Sequence, residues 1–299
     1  MNAKALAHIL ALATVVIWGL TFISTKVLLV SYTPLQILIM RFAVGFAVLC
    51  LLRPRVLKLQ QRRHELLFAL AGLTGMVIYY LLENIALVYA DASFVSVAVS
   101  TAPLFTALLG FAVLKEKGFG PLFLLGFVLA IAGIVFTSVQ GSSVSETYAT
   151  PLGVMLCLAA AASWAVYSLI VRRLSLLGYE TIASTKRTFA WGLLFMLVAT
   201  LASGEPWDVG ALAQVQNWGN LLFLGAAASA GCFVTWGIAV SKLGATMASV
   251  YIYLTSPITV VAGVLVLGEP FTPMIALGVA LVLAGVIVSE MQGRIRSRG

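Results

Sequence analysis

Long apolar runs separated by short polar segments make up most of the chain. Each run is about 20 residues long, the length that an α-helix needs to cross a bilayer. The runs lie near residues 5–29, 34–52, 66–89, 92–114, 119–139, 151–171, 180–202, 218–240, 245–267 and 271–290. The pattern predicts an all-α membrane protein with ten transmembrane helices.

The fourth and ninth runs follow the same sequence plan. One reads ASFVSVAVSTAPLFTALLGFAVLKE at 92–116, and the other reads ATMASVYIYLTSPITVVAGVLVLGE at 245–269. Such self-similarity predicts two repeats of five helices each, 1–145 and 146–299. Because five is an odd number, the second repeat enters the membrane from the opposite side, so the two form an inverted repeat.

The early helices of the two halves align more sparsely, at one constant offset. The matches are Trp18, Lys26 and Arg41 with Trp164, Arg172 and Arg187. These few matches agree with the repeat that the later helices predict.

Two prolines lie in the middle of predicted helices, at corresponding points of the two repeats. They are Pro103 and Pro257. A proline inside a helix removes one backbone hydrogen bond and displaces the carbonyl four residues earlier, which belongs to Val99 or Tyr253. In a bilayer such a carbonyl is tolerated only where it faces protein or a water-filled cavity. Paired breaks of this kind indicate a substrate site near the bilayer midplane.

The distribution of charge predicts the orientation. Charged residues make up 9% of the chain, whereas a soluble domain carries roughly a quarter. Loops at 30–33, 90–91, 140–150, 203–217 and 268–270 contain no Lys or Arg, whereas the alternate loops and both termini carry the basic residues. The positive-inside rule therefore places both termini in the cytoplasm. The net charge of +8 is thus a topology signal, and no nucleic-acid partner is predicted.

The sequence does not indicate metal, disulfide or hydrolytic chemistry. Cys50, Cys157 and Cys232 are scattered through apolar runs without metal or disulfide spacing. His8 and His64 lie at or beyond the predicted cytoplasmic boundary. HExxH and GxSxG motifs are absent, so we expect neither a cofactor nor an enzyme.

Aromatic residues are unusually frequent near the predicted bilayer centre. Tyr and Trp normally prefer the membrane interfaces, where their polar ends stay wet. Deep in a bundle, a hydroxyl or indole N–H needs a partner or a cavity. The central aromatic residues predict a wet chamber with aromatic walls, and Ser100 is one of the small polar residues nearby. The alternative is that these aromatic residues simply pack between the helices. They are Trp18, Tyr79, Tyr80, Trp164, Tyr167, Trp236, Tyr251 and Tyr253.

Charged residues inside predicted spans are the second candidate feature, because such residues are costly in lipid. Glu83 and Arg41 lie at matching depth, which favours an ion pair, and Lys26 is a shallower partner. Contact of Glu83 with a substrate ammonium and a role as a proton site remain alternatives. Lys186 and Arg187 are expected to snorkel to the cytoplasmic face.

Each half ends in a Pro helix, a short acidic turn and a closing helix with a Gly-x6-Gly pattern. The turns read Lys-Glu-Lys at 115–117 and Gly-Glu-Pro at 268–270, and the glycines are Gly126, Gly133, Gly278 and Gly285. This arrangement resembles the EamA family of the drug/metabolite transporter superfamily. The aromatic-rich middle is similar to the YddG-type aromatic amino-acid exporters of that family. The resemblance implies alternating access and export across a bacterial inner membrane.

The predicted function is transport of amino acids, aromatic ones included, and related small metabolites. The predicted substrate-binding residues are Trp18, Tyr79, Tyr80, Glu83, Ser100, Pro103, Trp164, Tyr167, Trp236, Tyr253 and Pro257. Expected partners are the small-molecule substrate and membrane lipid, with the protein a monomer or a weak homodimer. Export of organic cations or other metabolites is the alternative. A membrane-embedded enzyme or a scaffold is a more remote one.

Overall fold

A computed structural model describes residues 3–114, 120–139, 150–207, 210–243 and 251–296. These ranges are helical and contain no β-strand. In the first half, α1 is Ala3–Leu28, α2 is Pro34–Leu52, α3 is His64–Tyr89, and α5 is Pro121–Val139. Between α3 and α5, α4 consists of two segments, Ala92–Val99 and Ala102–Leu114.

The second half has the same order of elements. α6 is Pro151–Leu176 and α7 is Thr181–Ser203. α8 runs through the consecutive segments Val215–Leu222, Phe223–Gly231 and Cys232–Leu243. The second segment of α9 is Thr255–Leu267, and α10 is Pro273–Arg296. A short 3₁₀ turn, Gly210–Ala213, precedes α8.

The ten helices confirm the predicted fold class. Within the described residues, six are long and apolar enough to cross a membrane: Lys4–Leu28, Pro34–Leu52, His64–Tyr89, Ala92–Gly110, Pro151–Leu176 and Val215–Ala239. α5, α9 and α10 contribute shorter apolar helices, and α7 carries two basic residues in its second turn. The predicted boundary between the repeats, at 145 and 146, lies outside the described residues and stays a prediction.

The helices of the two halves pack in matching pairs. α1 lies against α8 and α9, and its counterpart α6 lies against α3 and α4. Likewise α2 contacts α8 as α7 contacts α3, while α2, α4 and α5 each pack on their own counterparts. These contacts are preserved when each helix is exchanged for its counterpart, so a pseudo-twofold axis relates the halves.

α5 and α10 pack closely because glycines face each other along both helices. A Cβ atom on Gly126 would lie 2.2 Å from the carbonyl oxygen of Gly285, and one on Gly133 would lie 2.6 Å from that of Gly278. A small residue is therefore required at each position. The glycines of the Gly-x6-Gly pattern therefore serve the packing of α5 against α10.

The two proline-containing helices break at corresponding points. α4 stops at Val99 and resumes at Ala102, so Pro103 lies in the first turn of its second segment. In α9 the chain turns at residues 253–254 before the segment that begins at Thr255 and includes Pro257. Both breaks lie where the two prolines predicted them. A proline in a first turn needs no N–H partner, so the chain accommodates it by starting a new helix there.

Candidate functional site

An aromatic cluster fills the centre of the bundle and contains residues from both halves. Its rings meet at centroid distances of 4.7–6.5 Å, mostly edge to face or tilted. This range is the one that aromatic pairs prefer. Its members are Trp18, Phe42, Tyr79, Tyr80, Trp164, Tyr167, Phe189, Phe233 and Trp236. Six of them are predicted site residues; Tyr251, in contrast, contacts His8 at a distance of 2.7 Å and lies apart from the cluster.

The cluster lies on the pseudo-twofold axis. Trp18 of α1 and Trp164 of α6 are equivalent residues of the two repeats, and their ring centroids are 6.3 Å apart in a T-shaped arrangement. Equivalent residues of two halves touch each other only close to the axis that relates them. Since the axis of an inverted repeat lies in the membrane plane, this contact agrees with the midplane position predicted for the site.

Two π-helical segments support the cluster, at corresponding positions of α3 and α8. They are Gly72–Ile78 and Phe223–Gly231. The Thr74 carbonyl accepts a hydrogen bond from Ser163 of α6 at 2.8 Å, and the Ala228 carbonyl accepts one from the Trp18 indole at 3.2 Å. Wider turns of this type release backbone carbonyls for such contacts and are frequent at functional sites.

A glycine in the first π segment makes room for one ring of the cluster. A Cβ atom on Gly75 would lie 2.2 Å from the Tyr167 ring. The π segments and the cluster phenylalanines were missed by the sequence analysis. Phenylalanine carries no polar group to mark it, and π turns have no strong sequence signature.

The broken helices α4 and α9 meet beside this cluster. The Ser100 and Ser256 hydroxyls hydrogen-bond each other, and Ser256 also donates to the Ser96 carbonyl at 3.2 Å. Thr259 of α9 donates to the carbonyl of Gly19, the residue after Trp18, at 2.8 Å. Tyr253 is buried at the break itself. The predicted site residues on α4 and α9 are thus brought together with those on α1.

The expected ion pair between Glu83 and Arg41 is wrong. Both side chains are buried, with 2% and 1% of their surface exposed. Ion pairs within the described ranges join Arg53 to Glu180 and Arg187 to Glu65 instead. The Tyr79 hydroxyl faces the Glu83 carboxyl group. Equal depth fixes only the height of two residues in the membrane, and these two helices do not turn the side chains into contact.

Arg41 is held by other contacts. Its Nε donates to the Ser229 hydroxyl at 2.8 Å, and its guanidinium carbon lies 4.3 Å from the centroid of the Tyr80 ring. This is a cation–π geometry. The two terminal guanidinium nitrogens are buried and have no hydrogen-bond partner among the described residues.

The basic residues at the start of α7 are bound by groups at the basic end of the bundle. Arg187 makes two hydrogen bonds to the Glu65 carboxylate, and Lys186 donates to the carbonyls of Arg53 and Arg55 at the end of α2. Glu65 also accepts the Trp191 indole N–H at 2.5 Å. No cluster of metal-ligating side chains occurs in the part of the chain that the structure describes.

A cleft of ≈440 Å³ opens at one end of the bundle, lined by Lys26, Asp91, Asn217 and Glu269 among others. We call this end, which carries Asp91, Glu205 and Glu269, the acidic end. Lys26 closes the end of α3 by donating to the carbonyls of Leu87 and Ala90 at 2.6 and 2.7 Å. Burial raises the pKa of Asp91 to about 6, the nearby Glu269 carboxylate raises it too, and Lys26 opposes them.

Comparison with known proteins identifies the family. The EamA-like transporter family matches residues 5–139 and 151–291, one match in each half. An uncharacterized transporter from Archaeoglobus fulgidus is 28% identical over 97% of this chain and 98% of its own length. A protein from Streptantibioticus cattleyicolor, named a probable terminal-alkyne amino-acid exporter, is 30% identical over 92% of this chain and 90% of its own length.

A crystal structure of a protein with 20% sequence identity covers 96% of this chain and 97% of that chain, with a TM-score of 0.66. At this identity the likeness shows the fold alone. The family matches in both halves, together with relatives that are transporters along nearly their whole length, exclude the enzyme alternative. The chain belongs to the EamA-like transporter family.

Proposed function

We propose that the protein exports amino acids, aromatic ones included, across the bacterial inner membrane. The observation that supports this most directly is the aromatic cluster on the pseudo-twofold axis, where Trp18 and Trp164 meet. Such rings can stack on an aromatic side chain and hold an ammonium group over their faces. A zwitterion with an apolar side chain offers both groups.

The Streptantibioticus cattleyicolor relative supports the substrate class. Its name describes an amino-acid exporter, and it aligns with 92% of this chain at 30% identity. An amino acid with a terminal alkyne is small, zwitterionic and apolar at its end. A ligand with these properties is suited to binding at the aromatic cluster.

In this proposal transport occurs by alternating access around the cluster. The chain breaks at residues 100–101 in α4 and turns at residues 253–254 in α9, beside one site. A helix break allows one segment to move while the other stays packed. Because the two breaks belong to opposite halves, each can open the site to one side of the membrane. The path lies within a single chain, so a monomer suffices.

The proposed orientation places both termini in the cytoplasm and the acidic end outside, because the basic loops lie at the opposite end. It is tested with single cysteines in a Cys-free background. A cysteine at Gln214 should react with an impermeant reagent added to whole cells, and one at Gln60 should not. The reverse pattern would contradict both the orientation and the outward direction of transport.

Counterflow into liposomes that contain the purified protein tests the substrate class. Phenylalanine, tyrosine and tryptophan should exchange, whereas sugars should not. Trp164→Ala should weaken the apparent affinity several-fold, because an aromatic contact contributes about 0.5–1.5 kcal/mol. Trp218→Ala is the matched control, since its ring is 47% exposed and lies outside the cluster. Equal effects of the two changes would return the cluster to a packing role.

Export of organic cations is the second candidate, and one observation favours it. Glu83 carries a buried carboxyl group beside Tyr79. A carboxyl group next to an aromatic ring is suited to bind a cationic group. The same counterflow panel therefore includes a quaternary ammonium compound and an aromatic amine. Exchange of these cations without exchange of amino acids would replace the first proposal with the second.

A further inference from the structure

Arg41 is a buried cation whose two terminal nitrogens have no hydrogen-bond partner among the described residues. Only 1% of its surface is exposed, its Nε donates to Ser229, and its guanidinium lies over the Tyr80 ring. These two nitrogens can form two parallel hydrogen bonds to one carboxylate, as in a bidentate arginine pair. Burial of a cation without an anion is costly. A substrate carboxylate that accepted hydrogen bonds from these two nitrogens would lower this cost.

The equivalent arginine of the second half shows what Arg41 lacks. Arg187 occupies the corresponding position in α7 and is paired by Glu65 through both carboxylate oxygens. The counterpart of α3 in the second half is α8, and its sequence from Val215 to Leu243 contains no Asp or Glu. The second-half arginine thus has a built-in counter-ion, and its first-half counterpart does not.

Glu83 does not take that place, although it lies on the same helix as the Tyr80 ring under Arg41. It makes no ion pair with Arg41 in the structure, and it faces the Tyr79 hydroxyl. Tyr79 and Tyr80 are in ring contact, with centroids 4.7 Å apart, and both belong to the aromatic cluster. One buried cation and one buried carboxyl group therefore adjoin neighbouring rings of the cluster.

We propose that Arg41 binds the carboxylate of the transported substrate and that Glu83 binds its ammonium group. The substrate class is then the zwitterionic α-amino acid, with its side chain held against the rings. This inference rests on the proposed function and deepens it. It also separates the two candidate functions, because a free cation is repelled by Arg41 and leaves its guanidinium unpaired.

Four related compounds test the proposal in the wild-type protein. Phenylalanine carries both charged groups, phenylalaninamide and phenethylamine lack the carboxylate, and 3-phenylpropionate lacks the ammonium. Each is measured by counterflow in liposomes and by its effect on the melting temperature of the purified protein. Phenylalanine and 3-phenylpropionate should raise the melting temperature, and the two compounds without a carboxylate should not.

Substitution of the arginine then assigns the effect to one residue. Arg41→Gln should lower the apparent affinity for phenylalanine at least roughly tenfold, as expected when a hydrogen-bonded charge is removed. It should also abolish stabilisation by 3-phenylpropionate. Arg41→Lys should give an intermediate loss, since it keeps the charge and loses the two-pronged geometry. Arg187→Gln is the matched control and should keep the wild-type preference for carboxylates.

The outcomes distinguish this inference from the proposed function. Exchange of phenylalanine and phenylalaninamide at equal affinity would overturn the role of Arg41 and leave amino-acid transport standing. Binding of 3-phenylpropionate that depends on Arg41, without exchange of any amino acid, would refute the proposed function and retain the carboxylate site. If Arg41→Gln does not fold, the wild-type order of the four compounds decides alone.

Discussion

The Glu269 carboxylate caps the start of α4 by accepting hydrogen bonds from the Ser93 backbone and the Ser93 hydroxyl. The Ser93 N–H donates at 3.0 Å, and the neighbouring N–H of Ala92 donates at 2.7 Å. The first N–H groups of a helix have no partner within it, and they attract negative charge. Since Glu269 belongs to the turn between α9 and α10, this cap ties the second half to the first at the acidic end.

We expect Glu269→Gln to destabilise the protein and to loosen the acidic end. A glutamine presents an NH₂ group to one of three donors, so a buried N–H loses its acceptor at a cost of about 1–3 kcal/mol. The free energy of unfolding and the labelling rate of a single cysteine at Val27 would report the two effects. Glu180→Gln is the control, because the exposed Arg53–Glu180 pair should contribute only about 0–1 kcal/mol. Similar losses in both variants would contradict a capping role.

Asp91 should make stability depend on pH in a predictable direction. Its pKa in the folded protein, about 6, lies above the usual value of 3.8. The folded state therefore binds this proton more tightly, so protonation of Asp91 stabilises it increasingly as the pH falls from 7 towards 4. This contribution is lost again as the pH rises through about 6.

Asp91→Asn removes the titration while keeping the shape of the side chain. The variant should melt at a higher temperature than the wild type near pH 7.5 and at nearly the same temperature near pH 4. Melting curves of both proteins across this range give the measurement. A constant difference at every pH would show that Asp91 is not the titrating group.

The number of helices and the positions of both breaks could be predicted, because each depends on local chemistry. A run of apolar residues sets the length of a span, and Pro103 or Pro257 prevents a continuous hydrogen-bonded helix wherever it stands. The aromatic cluster was predicted in part for a related reason. Trp18 and Trp164 each carry an indole N–H, and a polar group in the centre of an apolar run is easily recognised in the sequence.

The pairing of charged groups could not be predicted, since it depends on how each helix is rotated about its axis. Arg187 forms an ion pair with Glu65 of α3. Glu65 lies one residue before the predicted span, so the sequence did not indicate that it packs inside the bundle. Arg41 forms no ion pair with Glu83, although the two residues lie at matching depth. Sequence spacing gives a residue's height within a helix, but the neighbour that it meets is decided by tertiary packing.

Gly126→Ala should separate α5 from α10. The added Cβ would lie 2.2 Å from the Gly285 carbonyl oxygen, which is backbone and cannot rotate away. Overpacking of this kind costs about 1–3 kcal/mol, which a denaturation curve would measure. Gly219→Ala is the control, because nothing lies within 4 Å of its Cβ position and alanine favours the helix by up to about 1 kcal/mol. If Gly126→Ala is as stable as Gly219→Ala, the two helices are not held at this distance.

The paired prolines should act as equivalent bends that serve opposite sides of one site. Pro103→Ala and Pro257→Ala each restore a backbone N–H next to the break, so each change favours a continuous helix across it. Both variants should be at least as stable as the wild type and should transport more slowly. Since the two breaks belong to opposite halves, the variants should favour opposite-facing states.

The direction of this shift can be read from the Ser100 position, where the two broken helices touch. A single cysteine there, in a Cys-free background, is labelled from either side of the membrane in both proline variants. Pro121→Ala and Pro273→Ala are matched controls, because these prolines begin α5 and α10 rather than the continuation of a broken helix. The controls should transport at the wild-type rate. A shift of labelling to the same side in both test variants would contradict the bend model, because two breaks related by an inverted repeat cannot gate the same side.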